Sequence, residues 1–166
     1  TCARLASSWE ANSDFTQWTF QLRDDVVWHD GIPLTAESMK QVLDFILFGY
    51  KDRGKDRRAG DWGHPFVSTV TALEGNKVQL TLTQSVPAFA SLLALDSNTM
   101  LYPPHKILAE IDAGNSKVAP IDVGVIGVGP FKLDEYIKRT KISVRKFGAY
   151  WQKDEAERRL PYLDGI

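Results

Sequence analysis

The side chains that could act as metal ligands, nucleophiles or general bases are few and lie far apart in the sequence. Histidines stand at positions 29, 64 and 105, so none lies four residues from another on a helix, the spacing with which metalloproteases hold zinc. Cys2 is the single cysteine, which excludes an internal disulfide and leaves no second thiolate for a metal site. Because the sequence also lacks a G-x-S-x-G nucleophile elbow, we predict no catalytic residue, no metal and no cofactor.

Two polar motifs resemble functional sites, but backbone geometry explains them better. Gly127-Val128-Gly129 resembles a phosphate-binding loop, yet Pro130 and a predicted strand follow it, whereas a phosphate loop leads into a helix N-terminus. We interpret these glycines as sites of tight backbone packing or of a bend at a crossover. Asp24, Asp25 and Asp30 lie in or beside turns, where carboxylates stabilise the local backbone, and we interpret them as turn residues.

Trp62 lies in a glycine-rich loop, where no strand or helix periodicity assigns it to a core. Loops carry many binding residues, and a tryptophan combines a large apolar face with a hydrogen-bond donor. It either packs on a satellite core beneath the loop or contacts a ligand, and the spacing leaves both interpretations open. The preceding stretch 51–58 alternates charges of both signs, which is typical of a solvated loop and not of a basic patch.

The composition is that of one globular domain with a hydrophobic core. The 166 residues are 43% hydrophobic and 25% charged, which is ordinary for a folded domain. The net charge of −1 creates no field that would attract nucleic acid or an anionic membrane, and we exclude nucleic acid as a partner. No apolar run reaches the roughly 18–20 residues that span a bilayer. We interpret both ends as cut, since the sequence starts in strand-like residues and stops at 163–166, where an apolar strand begins.

Periodicity and turn residues predict the elements that carry these positions. Trp18, Phe20 and Leu22 alternate with polar residues, as in a strand with one buried face. Thr35 can cap the next helix, but Ser38 at its third position argues against a full capping box. The other predicted elements are a reversal with positive φ at Gly31, a helix over 36–48, a hairpin over 67–83, short helices after Pro87 and Pro103, and strands at 131–133 and 141–145.

The order of these motifs resembles that of one known family. The first block combines an alternating strand, a Trp-x-Asp-Gly turn and a Thr-Ala-Glu helix start over 18–38. The later blocks lie at 70–82, 87–89, 126–133, 150–151 and 161–166. Together they resemble the dipeptide-, oligopeptide- and nickel-binding receptors of ABC importers, over essentially the whole chain. Departures from the family pattern are Val128 between the two glycines, Phe147-Gly148 in place of Asn-Pro, and Ala149.

The resemblance implies a fold as well as a family. We expect an α+β chain with a mixed sheet and short helices, forming a partial first lobe of a type II periplasmic-binding-protein fold. Residues 1–122 would form the smaller subdomain of that lobe and 123–166 the start of its main sheet, with the second lobe absent from this sequence. In peptide-binding relatives the aspartate that pairs with the peptide amino terminus belongs to the second lobe, so it is not assigned here.

The resemblance also implies a function, which is non-catalytic capture of a solute by lobe closure. We expect a periplasmic or extracellular location, delivery to ABC permease subunits, and peripheral or lipid-anchored association with the membrane. Peptide is the expected solute. Residues placed near the cleft by analogy are the candidate ligand contacts, with the last two the weaker ones: Trp62, Ser97, Asn98, Met100, His64 and Tyr50.

Three alternatives to a peptide receptor stay open. The same family binds nickel chelates, sugars and opines, and the residues that separate these solutes lie mostly elsewhere. A related domain can serve as the ligand sensor of a transcriptional regulator, which a helix-turn-helix in the full gene would reveal. An enzyme would need a hydrolytic site assembled from scattered residues such as His29, Asp30 and Ser38.

Overall fold

The computed structural model describes residues 4–48, 66–95, 102–115 and 123–166, which fall into two compact units. Unit 1 comprises residues 1–24 and 35–100, and unit 2 comprises residues 25–34 and 101–166. The chain therefore enters unit 2 briefly, at 25–34, before it completes unit 1. The subdomain boundary that we predicted between residues 122 and 123 divides the first lobe of the expected binding-protein fold. It stays a prediction.

Unit 1 contains an antiparallel sheet of four strands. The strands are β1 (Ala6–Ala11), β2 (Gln17–Leu22), β3 (Val67–Leu73) and β4 (Lys77–Leu82), in the order β1-β2-β4-β3. The alternation that predicted β2 and β4 is confirmed, since every second side chain along β4 is buried and both ends of the β2 stripe are buried. These buried side chains are Trp18, Leu22, Val78, Leu80 and Leu82.

Two helices of unit 1 were also predicted: the first begins where expected, and the second begins two residues after Pro87, which was expected in its first turn. Helix α1 (Ala36–Phe48) packs on β3 and β4, and it buries one apolar stripe made of Met39, Val42, Leu43 and Leu47. Helix α2 (Phe89–Leu95) follows Pro87, and its first residue Phe89 is fully buried, with its ring centroid 6.2 Å from that of Trp18. Burial of apolar stripes supplies most of the stability of such short helices.

The cap of α1 is a reciprocal capping box, contrary to our expectation from the sequence. The Thr35 hydroxyl accepts a hydrogen bond from the Ser38 N–H at 3.2 Å, and the Ser38 hydroxyl accepts one from the Thr35 N–H at 2.9 Å. The expectation was wrong because a serine hydroxyl at the third position reaches back as the longer glutamate usually does. The Ser38 hydroxyl then donates to the Thr35 carbonyl at 2.9 Å.

A second cap of α1 comes from Asn76, in the turn of the β3–β4 hairpin. Gly75 and Asn76 both adopt positive φ, 71° and 57°, as the Gly-Asn pair predicts for a tight hairpin. The Asn76 side-chain oxygen accepts a hydrogen bond from the Ala36 N–H at 2.7 Å. Its amide nitrogen donates to the Arg23 carbonyl at 3.2 Å and to the Asp24 carboxylate at 2.9 Å. One turn residue thus joins the hairpin, the end of β2 and the start of α1.

The described residues of unit 2 form the reversal at 25–34, one helix and one strand pair. Helix α3 (Pro104–Asp112) starts at the second of the two prolines, and β5 (Phe131–Ile137) pairs antiparallel with β6 (Lys141–Lys146). Gly31 adopts a φ of 89° in the reversal, which confirms the expected turn, and the Trp28 N–H donates to the Ile32 carbonyl at 2.8 Å.

The fold class α+β with short helices is confirmed. Every pair of described strands is antiparallel, so the parallel pairing that would make a sheet mixed is absent from residues 4–48, 66–95, 102–115 and 123–166. No helix within those ranges is both long and apolar enough to cross a bilayer. The predicted loop at 51–65 lies outside the described residues.

The glycines of the 127–129 motif are not crowded, which corrects the tight-packing interpretation, while the alternative of a bend at a crossover stays a prediction. A Cβ on Gly127 would lie 3.5 Å from the His29 ring, an ordinary contact, and one on Gly129 would meet nothing within 4 Å. Close backbone approach occurs instead at Gly165, where a Cβ would lie 2.8 Å from the Val144 carbonyl oxygen. Gly165 forms a bridge with Arg145 of β6, so the absence of a side chain there lets the backbones pair.

We expect Gly165→Ala to break this pairing, because the methyl group and the Val144 carbonyl cannot both keep their places. The loss should be about 1–2 kcal/mol, the net value of a few exposed backbone hydrogen bonds. Urea unfolding measures the stability, and hydrogen exchange at the Val144 amide, which donates to the Ile166 carbonyl at 2.9 Å, measures the pairing. Gly148→Ala is the matched control, since a Cβ there meets nothing within 4 Å; equal effects of both substitutions would contradict the prediction.

Candidate functional site

The six candidate ligand contacts from the sequence lie outside the described residues. They are Tyr50, Trp62, His64, Ser97, Asn98 and Met100. One cluster of polar side chains lies in unit 2, around the reversal at 25–34. This cluster joins residues that the sequence analysis treated separately, namely two histidines, one turn aspartate and the glycine motif.

One part of the cluster is a hydrogen-bonded pair of side chains next to a buried tryptophan. His105, near the start of α3, lies with its Nε2 atom 2.7 Å from an Asp30 carboxylate oxygen, and both side chains are about a quarter exposed or less. The His105 ring meets Trp28 edge-on, with centroids 6.1 Å apart. Trp28 has no exposed surface, and within the described part of the chain its indole N–H finds no hydrogen-bond acceptor.

The surroundings of Asp30 favour its charged form. Partial burial by itself would raise the pKa of this carboxyl, but the hydrogen bond from His105 and the one from the Ile32 N–H outweigh it, so the pKa lies below 3.8. A carboxylate that is more acidic in the folded state stabilises the fold above its unfolded pKa, and this contribution is lost as the pH falls through the folded value. The interpretation of Asp30 as a turn residue is therefore incomplete, since it also anchors α3.

The other part of the cluster holds the glycine motif against the reversal. The His29 N–H donates to the Gly127 carbonyl at 2.8 Å. The Gly127 N–H lies 3.2 Å from His29 Nδ1, and the Gly129 carbonyl oxygen lies 3.0 Å from His29 Nε2. Both ring nitrogens and the backbone of one histidine thus bind one short stretch of chain.

An aromatic residue shields the His29 ring. Phe147 is buried, and its ring meets that of His29 edge-on with centroids 4.9 Å apart; its N–H donates to the Pro130 carbonyl at 2.9 Å. Lys132 places its ammonium nitrogen 5.8 Å from the centre of the Phe147 ring. Burial is the largest effect and lowers the pKa of His29 below its ordinary value of 6.5. The hydrogen bond to the Gly129 carbonyl raises the pKa in part, the positive charge of Lys132 lowers it, and the charge of Asp30 raises it by the least.

The residues that an enzyme would have needed have other partners. His29 binds the glycine motif, Asp30 binds His105, and the Ser38 hydroxyl is engaged in the cap of α1. Each of these side chains therefore contributes to local structure. Within the described ranges, no group of three or more His, Cys, Asp or Glu residues could hold a metal ion.

Sequence reasoning missed the link between the reversal and the glycine motif. The two segments are 98 residues apart at the bond from Gly127 to His29, and no local periodicity relates them. One signal was visible, because the resemblance marked Phe147 as a departure from the family pattern. This residue now proves to cover the His29 ring.

Comparison with known proteins gives the family. A profile of the bacterial extracellular solute-binding proteins, family 5 (middle region), matches residues 3–166. The dipeptide-binding protein of Escherichia coli K12 is 30% identical over 161 residues, which cover 89% of this chain and 29% of the relative. The chain spans less than a third of the length of the relatives that it matches.

Solved structures give the same fold. The binding protein AgaA of A. tumefaciens R10, in complex with agropinic acid, has a TM-score of 0.73 and 29% identity over 97% of this chain and 29% of its own. DppA of Helicobacter pylori, in complex with the peptide STSA, has a TM-score of 0.76 and 20% identity over 98% of this chain and 32% of its own. The likeness confirms the expected partial lobe of a type II periplasmic-binding-protein fold. The family resemblance is confirmed as well, and the chain belongs to the bacterial extracellular solute-binding proteins of family 5.

Proposed function

We propose that this chain forms part of a non-catalytic receptor that captures a peptide and delivers it to the permease of an ABC importer. The observation that carries the proposal is the similarity to a dipeptide-binding protein, 30% identical over 161 residues. Binding energy would drive closure of the lobes over the peptide, and release would be the task of the permease. Peripheral or lipid-anchored association with the membrane belongs to the same proposal.

The location of the chain follows from the family. Solute-binding proteins of family 5 are extracellular, so the expected place on the periplasmic or extracellular side of the cytoplasmic membrane is confirmed. A peptide importer needs its receptor on that side, and the location therefore fits the proposal.

The proposed ligand contacts are those expected from the sequence, with Trp62 as the principal one. A tryptophan face and a few polar side chains suit a peptide, since the ring accepts varied side chains while amide and hydroxyl groups bind the backbone. The other proposed contacts are Ser97, Asn98 and Met100, and the weaker candidates are His64 and Tyr50.

One observation favours a second class of solute. AgaA, which was solved with agropinic acid, resembles this chain at 29% identity, close to the 30% of the dipeptide-binding protein. An opine of that kind is therefore the second candidate. A nickel chelate, a sugar or a role as the sensor domain of a regulator are further alternatives from the sequence.

Thermal denaturation with a panel of ligands tests the proposal. The longest natural form of the protein that contains this sequence is heated with dipeptides, oligopeptides, agropinic acid, nickel with a chelator, and small sugars. A ligand that binds only the folded state stabilises it by RT ln(1 + [L]/Kd), about 2.7 kcal/mol at 100 Kd. We expect a rise in Tm with peptides and with no other class.

Two variants connect binding with the proposed contacts. Trp62→Ala should lower the peptide affinity by about tenfold or more, the usual effect of removing a buried aromatic contact, while Trp9→Ala on β1, a strand of the unit 1 sheet, serves as the matched tryptophan control. Stabilisation by agropinic acid alone would replace peptide with an opine. Stabilisation by none of these ligands would contradict the receptor proposal in its present form.

A further inference from the structure

We propose that His29 is a pH-responsive clasp, which holds the reversal at 25–34 on the glycine motif at 127–129 when its ring is neutral and releases it when the ring gains a proton. The clasp lies wholly within unit 2, because both segments belong to that unit. The inference is independent of which solute the protein binds.

The hydrogen-bond geometry alone requires a neutral ring. The backbone N–H of Gly127 can only donate, so His29 Nδ1, 3.2 Å away, must present its lone pair. The Gly129 carbonyl can only accept, so His29 Nε2, 3.0 Å away, must carry the hydrogen. Only the neutral Nε2–H tautomer satisfies both bonds. A second proton on Nδ1 would point at the N–H of Gly127 and replace an attraction by a repulsion.

The neighbouring groups add to this preference. Phe147, the residue after β6, meets the His29 ring edge-on and shields it from water. Lys132 on β5 places its ammonium nitrogen 5.8 Å from the centre of the Phe147 ring, and its charge disfavours a proton on His29. The Gly129 carbonyl, which accepts from the ring, and the charge of Asp30 both oppose this preference, although the Asp30 carboxylate is engaged by His105 at 2.7 Å. The balance is a pKa of His29 below 6.5, with burial as the largest cause.

Because folding lowers the pKa of His29, the stability of the fold should decrease as the pH falls. In the unfolded chain the histidine takes up its proton near 6.5, whereas in the folded chain it resists protonation to lower pH. The stabilisation by His29 is therefore complete above the unfolded value and is lost progressively as the pH falls from there toward the folded pKa. Acidification within this window should loosen 25–34 from 127–129 before the rest of the chain unfolds.

The experiment compares the 166-residue chain with two variants that each lose one histidine of the cluster. His29→Gln keeps a donor and an acceptor but cannot titrate, and His105→Gln removes the other histidine of unit 2. Urea unfolding between about pH 8 and about pH 5 gives the number of protons taken up on unfolding. We expect His29→Gln to lower this uptake by up to about one proton, whereas His105→Gln keeps the component that belongs to His29. An unchanged uptake in His29→Gln would overturn the clasp.

Two spectroscopic measurements keep the inference testable should His29→Gln fail to fold. Nitrogen NMR of the imidazole ring in the unaltered chain should show the Nε2–H tautomer at neutral pH and a titration midpoint below 6.5. Lys132→Met should raise that midpoint, because it removes a positive charge next to the ring. A midpoint at or above 6.5, the Nδ1–H tautomer, or a cationic ring at neutral pH would each overturn the proposal.

Discussion

Trp28→Ala should destabilise the chain by about 3–5 kcal/mol, the largest effect that we expect from one substitution. Trp28 has no exposed surface, so the truncation removes a whole indole from the interior and leaves a cavity next to the His105 ring. It also removes the packing beneath the hydrogen-bonded Asp30–His105 pair. Urea unfolding followed by far-UV circular dichroism measures the loss, with the two compact units fitted separately if they unfold in separate transitions.

Trp28→Phe is the matched control and should cost far less. The indole N–H of Trp28 is buried and, within the described part of the chain, lacks an acceptor, and a buried unpaired donor is itself unfavourable by about 1–3 kcal/mol. Phenylalanine gives up some volume but removes this donor, so the two effects offset each other. If Trp28→Phe destabilised the chain as much as Trp28→Ala, the N–H would have to bind a group essential to the fold.

Asn76→Ala should destabilise unit 1 by about 2–4 kcal/mol. The substitution removes the bond that caps Ala36 at 2.7 Å and the two bonds that the amide donates to Arg23 and Asp24. It also places an alanine at a φ of 57°, where a residue with a Cβ is strained unless its side chain forms local hydrogen bonds. The helical signal of α1 in circular dichroism and the urea midpoint should both fall.

Asn76→Gly separates the two causes. Glycine adopts the positive φ without strain but makes none of the side-chain bonds, so it should be about 1 kcal/mol less harmful than alanine. The remaining loss then measures the three hydrogen bonds. If Asn76→Ala changed stability by less than about 0.5 kcal/mol, as at an ordinary surface position, Asn76 would not be the residue that joins the hairpin, the end of β2 and the start of α1.

Local patterns were sufficient to predict the elements of this chain. The alternation of Trp18, Phe20 and Leu22 predicted β2, and the apolar stripe after Thr35 predicted α1 from Ala36 to Phe48. The Gly-Asn pair predicted the hairpin between β3 and β4, and the prolines predicted the starts of α2 and α3. These predictions succeed because periodicity, caps and turn residues act over a few neighbouring residues.

The family was also readable from the sequence, because ordered motifs spread over the whole chain carry more information than any single residue. The details of the cap of α1 could not be predicted from the sequence, since they depend on whether one serine hydroxyl reaches back to Thr35. The position at which close packing requires a glycine was placed wrongly as well. The crowded position is Gly165 beside Val144, and the 127–129 motif has room for a Cβ.

The sequence by itself therefore determined the elements, their order and the family, while the tertiary structure alone decided which distant residues meet. Asp30 and His105 are 75 residues apart, and His29 and Gly127 are 98 apart, so no local rule pairs them. Their pairing depends on how the chain returns to unit 2 after completing unit 1, and on the burial that Phe147 provides. The charge state of a histidine follows from that burial and from its hydrogen-bond partners, which only the folded chain assembles.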